Sequence, residues 1–186
     1  MEIKNICATV LIDITFFIFG TVVFALLFHT SLFNNISLLF YRGITLLLVS
    51  CFFTLILMIF CRRNIKGSIF TYRDIILLVV LIFCLNLVFF THLPVTADRS
   101  VSVFILGYMN KYQNKGLTVD EITKLLIKKY VNEYGAVGKR LNEQIISGNI
   151  ILKNGKYKIT KQGGFIIGIY SFVASVFNIN KKLIYP

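Results

Sequence analysis

The sequence predicts a mainly α-helical membrane protein with a small α+β domain, on the strength of three observations. Apolar residues make up 56% of the chain and charged residues only 15%, against roughly 25% charged in an ordinary soluble domain. The first half contains three long apolar segments, and the second half changes to short amphipathic segments followed by two β-prone runs. A chain of 186 residues cannot cover so much apolar surface with one small core. A freely soluble protein is therefore excluded, and so is a disordered chain, which would need more charge.

Three uninterrupted apolar segments form the predicted transmembrane region, residues 1–93. We predict helices over about 6–28, 44–61 and 75–93. Each has about the 17–25 residues that a helix needs to cross the hydrocarbon of a bilayer, and Asp13 is the one charged residue within them. The first segment is not a signal peptide, because its apolar stretch is too long and no small-residue cleavage site follows promptly.

The short loop after the second segment predicts the topology. It contains Arg62, Arg63, Lys66 and Arg73, and short loops rich in Lys and Arg remain cytoplasmic. The second helix then runs from the exoplasmic to the cytoplasmic side of the membrane, and the third helix runs in the opposite direction. We therefore predict a cytoplasmic N-terminus in a bacterial inner (plasma) membrane, with the residues after Leu93 on the exoplasmic face.

The second half begins with a polar stretch, residues 94–100, which we predict to be a linker. Apolar residues then recur with helical spacing between 101 and 112. Thr118 and Glu121 have the spacing of a capping box, which opens a second helix. A third helix is predicted with Leu141 on its inner face. Asn154-Gly155 between two β-prone runs is the signature of a two-residue β-hairpin.

Three helices and then a hairpin is the element order of a winged-helix domain. The segments LTVDEITKLLIKKY and KRLNEQIISGNIILKNGKYKIT resemble the second helix, third helix and wing of bacterial winged-helix proteins of the MarR and PadR kind. Leu141 and Gly148 match a leucine and a glycine that recur there. The resemblance implies a winged-helix fold over residues 101–163. Its ordinary role is DNA binding through the third helix, although such domains also serve as protein-interaction modules.

A last apolar segment, residues 164–179, predicts a hydrophobic C-terminal helix. Gly164 and Gly168 have the spacing that lets membrane helices approach closely. The segment is short for a membrane span, so two alternatives remain open. It is either an interfacial or packing helix, or a fourth span that returns the C-terminus to the cytoplasm, where Lys181 and Lys182 would satisfy the positive-inside rule.

Five residues are candidates for binding a partner: Asp13, Gly164, Gly168, Asp98 and Arg99. Asp13 is costly within a span and is expected to face protein, water or a partner. His29 and His92 lie at predicted exoplasmic helix ends and could join Asp98 and Arg99 in a cluster that binds a phosphate or a metal. The alternative is that these residues form no shared site: the imidazoles lie at the membrane interface, Asp98 is the N-cap of the next helix, and Arg99 reaches lipid headgroups.

A basic surface is predicted on the third helix and the hairpin. Its candidate residues are Lys139, Arg140, Asn142 and Lys156, and such residues form the electrostatic footprint of a nucleic-acid interface. The predicted topology argues against that use, because DNA is absent from the exoplasmic side. The alternative is a solvated basic face resting on anionic headgroups.

The sequence contains none of the usual motifs for metal binding or catalysis. Its four cysteines occur in apolar runs without a CxxC pair, which favours buried thiols over a zinc site or a disulfide framework. No HExxH, P-loop, GxSxG or GxGxxG motif is present. We therefore expect no metal, no cofactor and no stand-alone enzyme.

The functional hypothesis is a non-catalytic accessory subunit that binds a membrane enzyme or transporter. The pattern that includes HLPVTADRS resembles that of uncharacterised small membrane proteins encoded among polysaccharide-assembly genes, which implies a role in handling cell-envelope glycans or lipid-linked sugars. The first alternative is a membrane-anchored winged-helix transcription regulator. The second is a small membrane enzyme with an exoplasmic His/Asp/Arg site.

Overall fold

The computed structural model of the chain describes residues 3–64, 71–180, 182 and 184, with side chains from residue 9 onwards. Lys66 and Lys181, which the topology prediction uses, lie outside the described residues. The chain divides into two compact units, Met1–Val103 and Phe104–Pro186. Each unit is described separately below.

Three long helices form the first unit: α1 (Ile3–Leu27), α2 (Leu39–Asn64) and α3 (Tyr72–His92). All three are long and apolar enough to cross a membrane, which confirms the prediction from hydropathy. Each begins three to five residues before its predicted start, and α2 also ends three residues later than predicted, whereas α1 and α3 end one residue earlier. At the start of α3, the backbone N–H of Thr71 donates to the Asp74 carboxylate at 2.9 Å, and the N–H of Asp74 donates to Thr71 Oγ1 at 3.2 Å. This capping box, which the sequence analysis did not find, begins the helix at Tyr72.

Apolar side chains fill the centre of this bundle, and Leu46, Leu47 and Ile82 are completely buried. Three polar residues are buried among them: Ser50, Thr54 and Asn86. The Ser50 hydroxyl donates to the Gly20 carbonyl on α1 at 2.8 Å, whereas Thr54 and Asn86 donate to carbonyls one turn earlier in their own helices. All three side chains thus donate a hydrogen bond within the bundle, and of these three bonds the one from Ser50 joins two helices.

The stretch predicted as a linker, residues 94–100, is largely helical. Pro94 opens a short helix, α4 (Pro94–Arg99), because its fixed φ and missing N–H suit the first turn. Ser100 then has extended backbone angles and ends this helix. The Ser100 hydroxyl accepts from the N–H of Val103 at 3.3 Å. The prediction that Asp98 caps the following helix is therefore wrong, because Asp98 lies inside α4 and Ser100 provides the cap.

Most of α5 (Val101–Lys111) belongs to the second unit, followed by α6 (Val119–Leu125) and α7 (Ala136–Ile146). Between α6 and α7 the chain forms a π-helix, Leu126–Glu133, which the sequence did not predict. Strands β1 (Ile150–Lys153) and β2 (Lys156–Ile159) pair antiparallel with Lys153 opposite Lys156. Asn154 and Gly155 have φ values of 52° and 70°, as the predicted two-residue hairpin requires.

The second unit buries little of its apolar surface. Among its described residues, only Gly163 and Ala174 are buried. The ring of Phe104 on α5 contacts Tyr130 and Tyr134, with centroids 5.1 and 6.1 Å apart. Leu141 is half-buried, whereas Val137 on the same helix is 55% exposed. The inner face predicted for α7 is therefore only partly covered.

The C-terminal helix α8 (Lys161–Val176) begins three residues before the predicted segment and has 16 residues. Its length is about 24 Å at 1.5 Å per residue, less than the ~30 Å of a bilayer core. Thr160 is its N-cap and also donates to the Gly148 carbonyl at 2.8 Å. The side chain of Gln162 donates to the Ser147 carbonyl at 2.8 Å. These bonds attach the first turn of α8 to the end of α7.

Candidate partner-binding surfaces

Asp13 lines a groove of about 240 Å³ between α1 and α3, which we call the acidic groove. Thr9 and Asp74 also line it, and its remaining wall is apolar: Leu77, Leu78 and Leu81. Asp74 is already engaged, because its carboxylate accepts bonds from the backbone N–H and the hydroxyl of Thr71. Asp74 thus has a structural role as part of the cap of α3, whereas Asp13 has no such capping role.

Arg42 connects α2 to the turn that follows α1. Its Nη2 donates to the Thr30 carbonyl at 3.0 Å and more weakly to the Phe28 carbonyl at 3.5 Å. Its guanidinium carbon is 5.8 Å from the centre of the Phe28 ring. A cation beside the last carbonyls of a helix satisfies unpaired acceptors and complements the helix dipole. This contact depends on tertiary structure, so no local pattern could have predicted it.

A second groove of about 240 Å³ lies beside Arg42 and is almost entirely apolar. We call it the apolar groove. Five large apolar side chains and three smaller residues line it: Phe24, Phe28, Leu39, Phe89 and Phe90, with Thr21, Ala25 and Pro94. Phe24, Phe28 and Phe90 pack together with ring centroids 5.4–5.8 Å apart. The sequence predicted apolar helices here but not a concave surface.

The proposed His/Asp/Arg cluster has little geometric support. His92 is held by its own helix, because its Nδ1–H donates to the Val88 carbonyl at 2.9 Å. His29 is exposed in the turn after α1, and no hydrogen bond joins the two imidazoles in the described part of the chain. Asp98 and Arg99 lie in α4 and have interactions of their own. Among the described residues, no group of three or more His, Cys, Asp or Glu could hold a metal ion.

The two candidate glycines of α8, Gly164 and Gly168, differ in their surroundings from the neighbouring Gly163. A Cβ added to Gly164 or Gly168 would meet nothing within 4 Å, so this face of the helix is open. A Cβ on Gly163 would instead lie 2.1 Å from the carbonyl oxygen of Asn149. The residue that packs against the rest of the unit is therefore Gly163, and Gly164 and Gly168 remain available to a neighbour.

The predicted basic surface is partly neutralised. Arg140 forms an ion pair with Glu143 at 2.6 Å, one turn along α7. Lys139 and Asn142 are exposed on the same helix, and Lys156 is exposed on the hairpin directly opposite Lys153. Most of the positive charge that is left at this surface lies on the hairpin.

The chain matches no protein-family model, and no curated protein and no solved structure is significantly similar to it. Its function must therefore be argued from its own residues and their geometry.

Proposed function

We propose that this protein is a non-catalytic accessory subunit of a bacterial inner membrane, and that it binds an integral membrane enzyme or transporter. The acidic groove is the observation that carries the proposal. Its carboxylate, Asp13, belongs to a helix able to span the bilayer. The proposed partner is a transmembrane segment that packs into this groove.

The energetic argument concerns the position of Asp13. It lies four residues inside the apolar span that begins at Thr9, which is about 6 Å along the helix. A carboxylate costs ~2.5–3.5 kcal/mol at the centre of a spanning helix on insertion scales, and ionisable residues within a span face protein or water and not lipid. The other ionisable residue of the groove is Asp74, which has the same charge. A partner that offers hydrogen-bond donors or a cation would remove this cost.

The second unit is proposed to be a winged-helix domain that acts as an interaction module. The order of α5, α6, α7 and the β1–β2 hairpin supports this fold. Exposed apolar side chains on α8 support contact with a membrane or a protein, because Phe165 and Phe172 are 70% and 69% exposed. The length of α8 favours an interfacial helix over a fourth span.

The proposed orientation keeps the N-terminus cytoplasmic and the winged-helix domain exoplasmic. Arg62 and Arg63 at the end of α2 support it through the positive-inside rule. On the exoplasmic side the domain would meet envelope components, and cell-envelope glycans or lipid-linked sugars are the substrates that we propose for its partner enzyme.

The test is co-purification of the full chain in mild detergent with the partner identified by mass spectrometry. Asp13→Leu should reduce recovery of the partner several-fold. Thr15→Leu is the matched control, because Thr15 is an exposed polar residue of the same helix whose hydroxyl bonds only to its own turn. The double change Lys139→Ala with Arg140→Ala should leave recovery intact. Equal recovery with Asp13→Leu and Thr15→Leu would contradict the proposal.

The alternative function, a membrane-anchored transcription regulator, has one feature in its favour. Lys153, Lys156 and Lys158 all lie on the exposed hairpin, where a wing contacts phosphates in DNA complexes. The Arg140–Glu143 pair opposes it, since it neutralises a cation of the would-be recognition helix. A reporter fused at Asn154 separates the two functions: a cytoplasmic hairpin with salt-sensitive retention on DNA would favour the regulator.

A further inference from the structure

We propose that the apolar groove, with Arg42 at its rim, binds an anionic phospholipid of the bilayer, the acyl chain in the groove and the phosphate against the guanidinium. This inference depends on the bundle crossing the membrane and not on the identity of any protein partner. It concerns the end of the bundle opposite to the acidic groove, where α1 ends and α2 begins.

The walls of the groove determine the chemistry of the occupant. All of its lining is apolar apart from Thr21, and the Thr21 hydroxyl is already used, because it donates to the Phe17 carbonyl at 2.9 Å. No side-chain hydrogen-bond donor therefore remains in the lining for a polar ligand. A hydrocarbon chain is the occupant that loses nothing by entering such a cavity.

Arg42 supplies the charge at one end of the groove. Leu39 lines the groove, and Arg42 follows it by three residues on α2, so the two side chains lie on the same face of the helix. Phe28 also connects the groove to Arg42, because its ring lines the groove and lies under the Arg42 guanidinium. Arg42 is three residues inside the span that begins at Leu39, about 4.5 Å along the helix. That depth corresponds to the headgroup region.

The charge of Arg42 is not neutralised within the described part of the chain. Its contacts are the Thr30 and Phe28 carbonyls and the Phe28 ring, none of which carries a full negative charge. Its Nε is enclosed and has no hydrogen-bond partner. A guanidinium has five N–H donors and pairs well with phosphate. The phosphate of an anionic lipid would therefore complete the site.

The test uses the absence of tryptophan from the chain. Phe89→Trp introduces a single tryptophan, which can be excited selectively in the presence of the nine tyrosines and keeps an aromatic ring in the groove wall. The full chain is reconstituted in phosphatidylcholine vesicles, and the tryptophan is quenched with brominated phosphatidylglycerol or brominated phosphatidylcholine. We expect half-maximal quenching at a roughly fivefold lower mole fraction of the anionic lipid, the preference typical of one basic residue near a membrane surface.

Two changes in the Phe89→Trp background test the two halves of the site. Arg42→Gln should reduce the lipid preference to about one, whereas Arg63→Gln, at the other end of α2, should leave it unchanged. Ala25→Phe should fill the groove and weaken quenching by both lipids. Val22→Phe is its control, because Val22 is an exposed residue of the same helix outside the groove.

The results that overturn the inference are equally specific. A preference of one in the parent protein, a preference that persists in Arg42→Gln, or unchanged quenching in Ala25→Phe would each refute it. Absence of quenching by either lipid would mean that protein and not lipid occupies the groove, which would also refute the inference. If Arg42→Gln does not fold because α1 loses its cap, Arg42→Lys, which keeps the charge, should retain a preference, and Ala25→Phe still decides the issue.

Discussion

The ring of Phe90 lies directly against the backbone of Gly43. Both residues are buried, and a Cβ at position 43 would be 2.0 Å from Phe90 Cζ and 2.3 Å from Cε1. α2 and α3 approach closely here because one contributes no side chain and the other contributes a flat ring. Small residues allow this kind of approach between membrane helices.

Gly43→Ala should destabilise the bundle by roughly 1–3 kcal/mol, because the added methyl overlaps the Phe90 ring and forces it to shift. Thermal unfolding in detergent, followed by circular dichroism, measures the effect. Phe90→Leu in the Gly43→Ala background should recover part of the loss by making room for the methyl. Gly107→Ala on α5 is the control, because a Cβ there meets nothing within 4 Å. A loss at Gly107 equal to that at Gly43 would refute the steric explanation.

Neighbouring glycines on α8 provide a second matched pair. Gly163→Ala would direct a methyl at the Asn149 carbonyl oxygen, whereas Gly164→Ala meets open space. We expect the first change to cost roughly 1–3 kcal/mol and the second to be neutral or slightly stabilising, since alanine favours a helix. Limited proteolysis between α7 and α8 would report loosening. Equal protection in the two variants would mean that α8 is not held through Gly163.

The capping box of α6 should make the second unit sensitive to acid. The backbone N–H and hydroxyl of Thr118 donate to Glu121 at 2.9 and 3.1 Å, and these bonds lower the pKa of Glu121 from its usual value of 4.5. Because the pKa is lower in the folded state, the stabilisation is complete above pH 4.5 and is lost as the pH falls through the folded value. Hydrogen exchange of α6 between pH 6 and 3 measures it. Glu121→Gln should flatten this dependence, and an unchanged profile would assign it to another group.

Orientation should depend on the basic loop between α2 and α3. Neutralising Arg62, Arg63, Lys66 and Arg73 together should produce mixed topologies, because these residues are the strongest short-loop signal in the chain. Cysteine accessibility at position 154 in intact cells reports which side the hairpin occupies. Arg62 also lies over the ring of Tyr72 at 3.9 Å, so a variant that retains Arg62 controls for lost packing. A hairpin that stays on one side would show that other residues set the topology.

The sequence was sufficient for several features that depend on neighbours along the chain, although the equally local capping box of Thr71 and Asp74 was missed. Hydropathy predicted the three long helices, and turn chemistry predicted the hairpin at Asn154 and Gly155. The capping box at Thr118 was likewise visible as a local pattern. These features are local because their hydrogen bonds join residues a few positions apart.

Features that depend on contacts between distant residues were not predictable. The role of Arg42 requires the end of α1 to lie next to α2, and the close packing at Gly43 requires Phe90, 47 positions later in the sequence. Val137 is exposed although helical spacing places it on the same face of α7 as Leu141, because spacing predicts which residues share a face but not which element covers that face. Asp98 was misassigned because Pro94 starts a separate short helix about two turns before the predicted one.

The π-helix has a consequence for how the chain tolerates changes in length. An α-helix closes its bonds at four residues, and a π-helix closes them at five, as in the bond from the Tyr134 N–H to the Lys129 carbonyl at 2.8 Å. The wider turns therefore contain surplus chain between α6 and α7. A one-residue deletion at the exposed Lys128 could be absorbed by tightening this segment into ordinary α-helix, whereas the same deletion within α2 would rotate every later residue by about 100° and turn its apolar contacts away from α3.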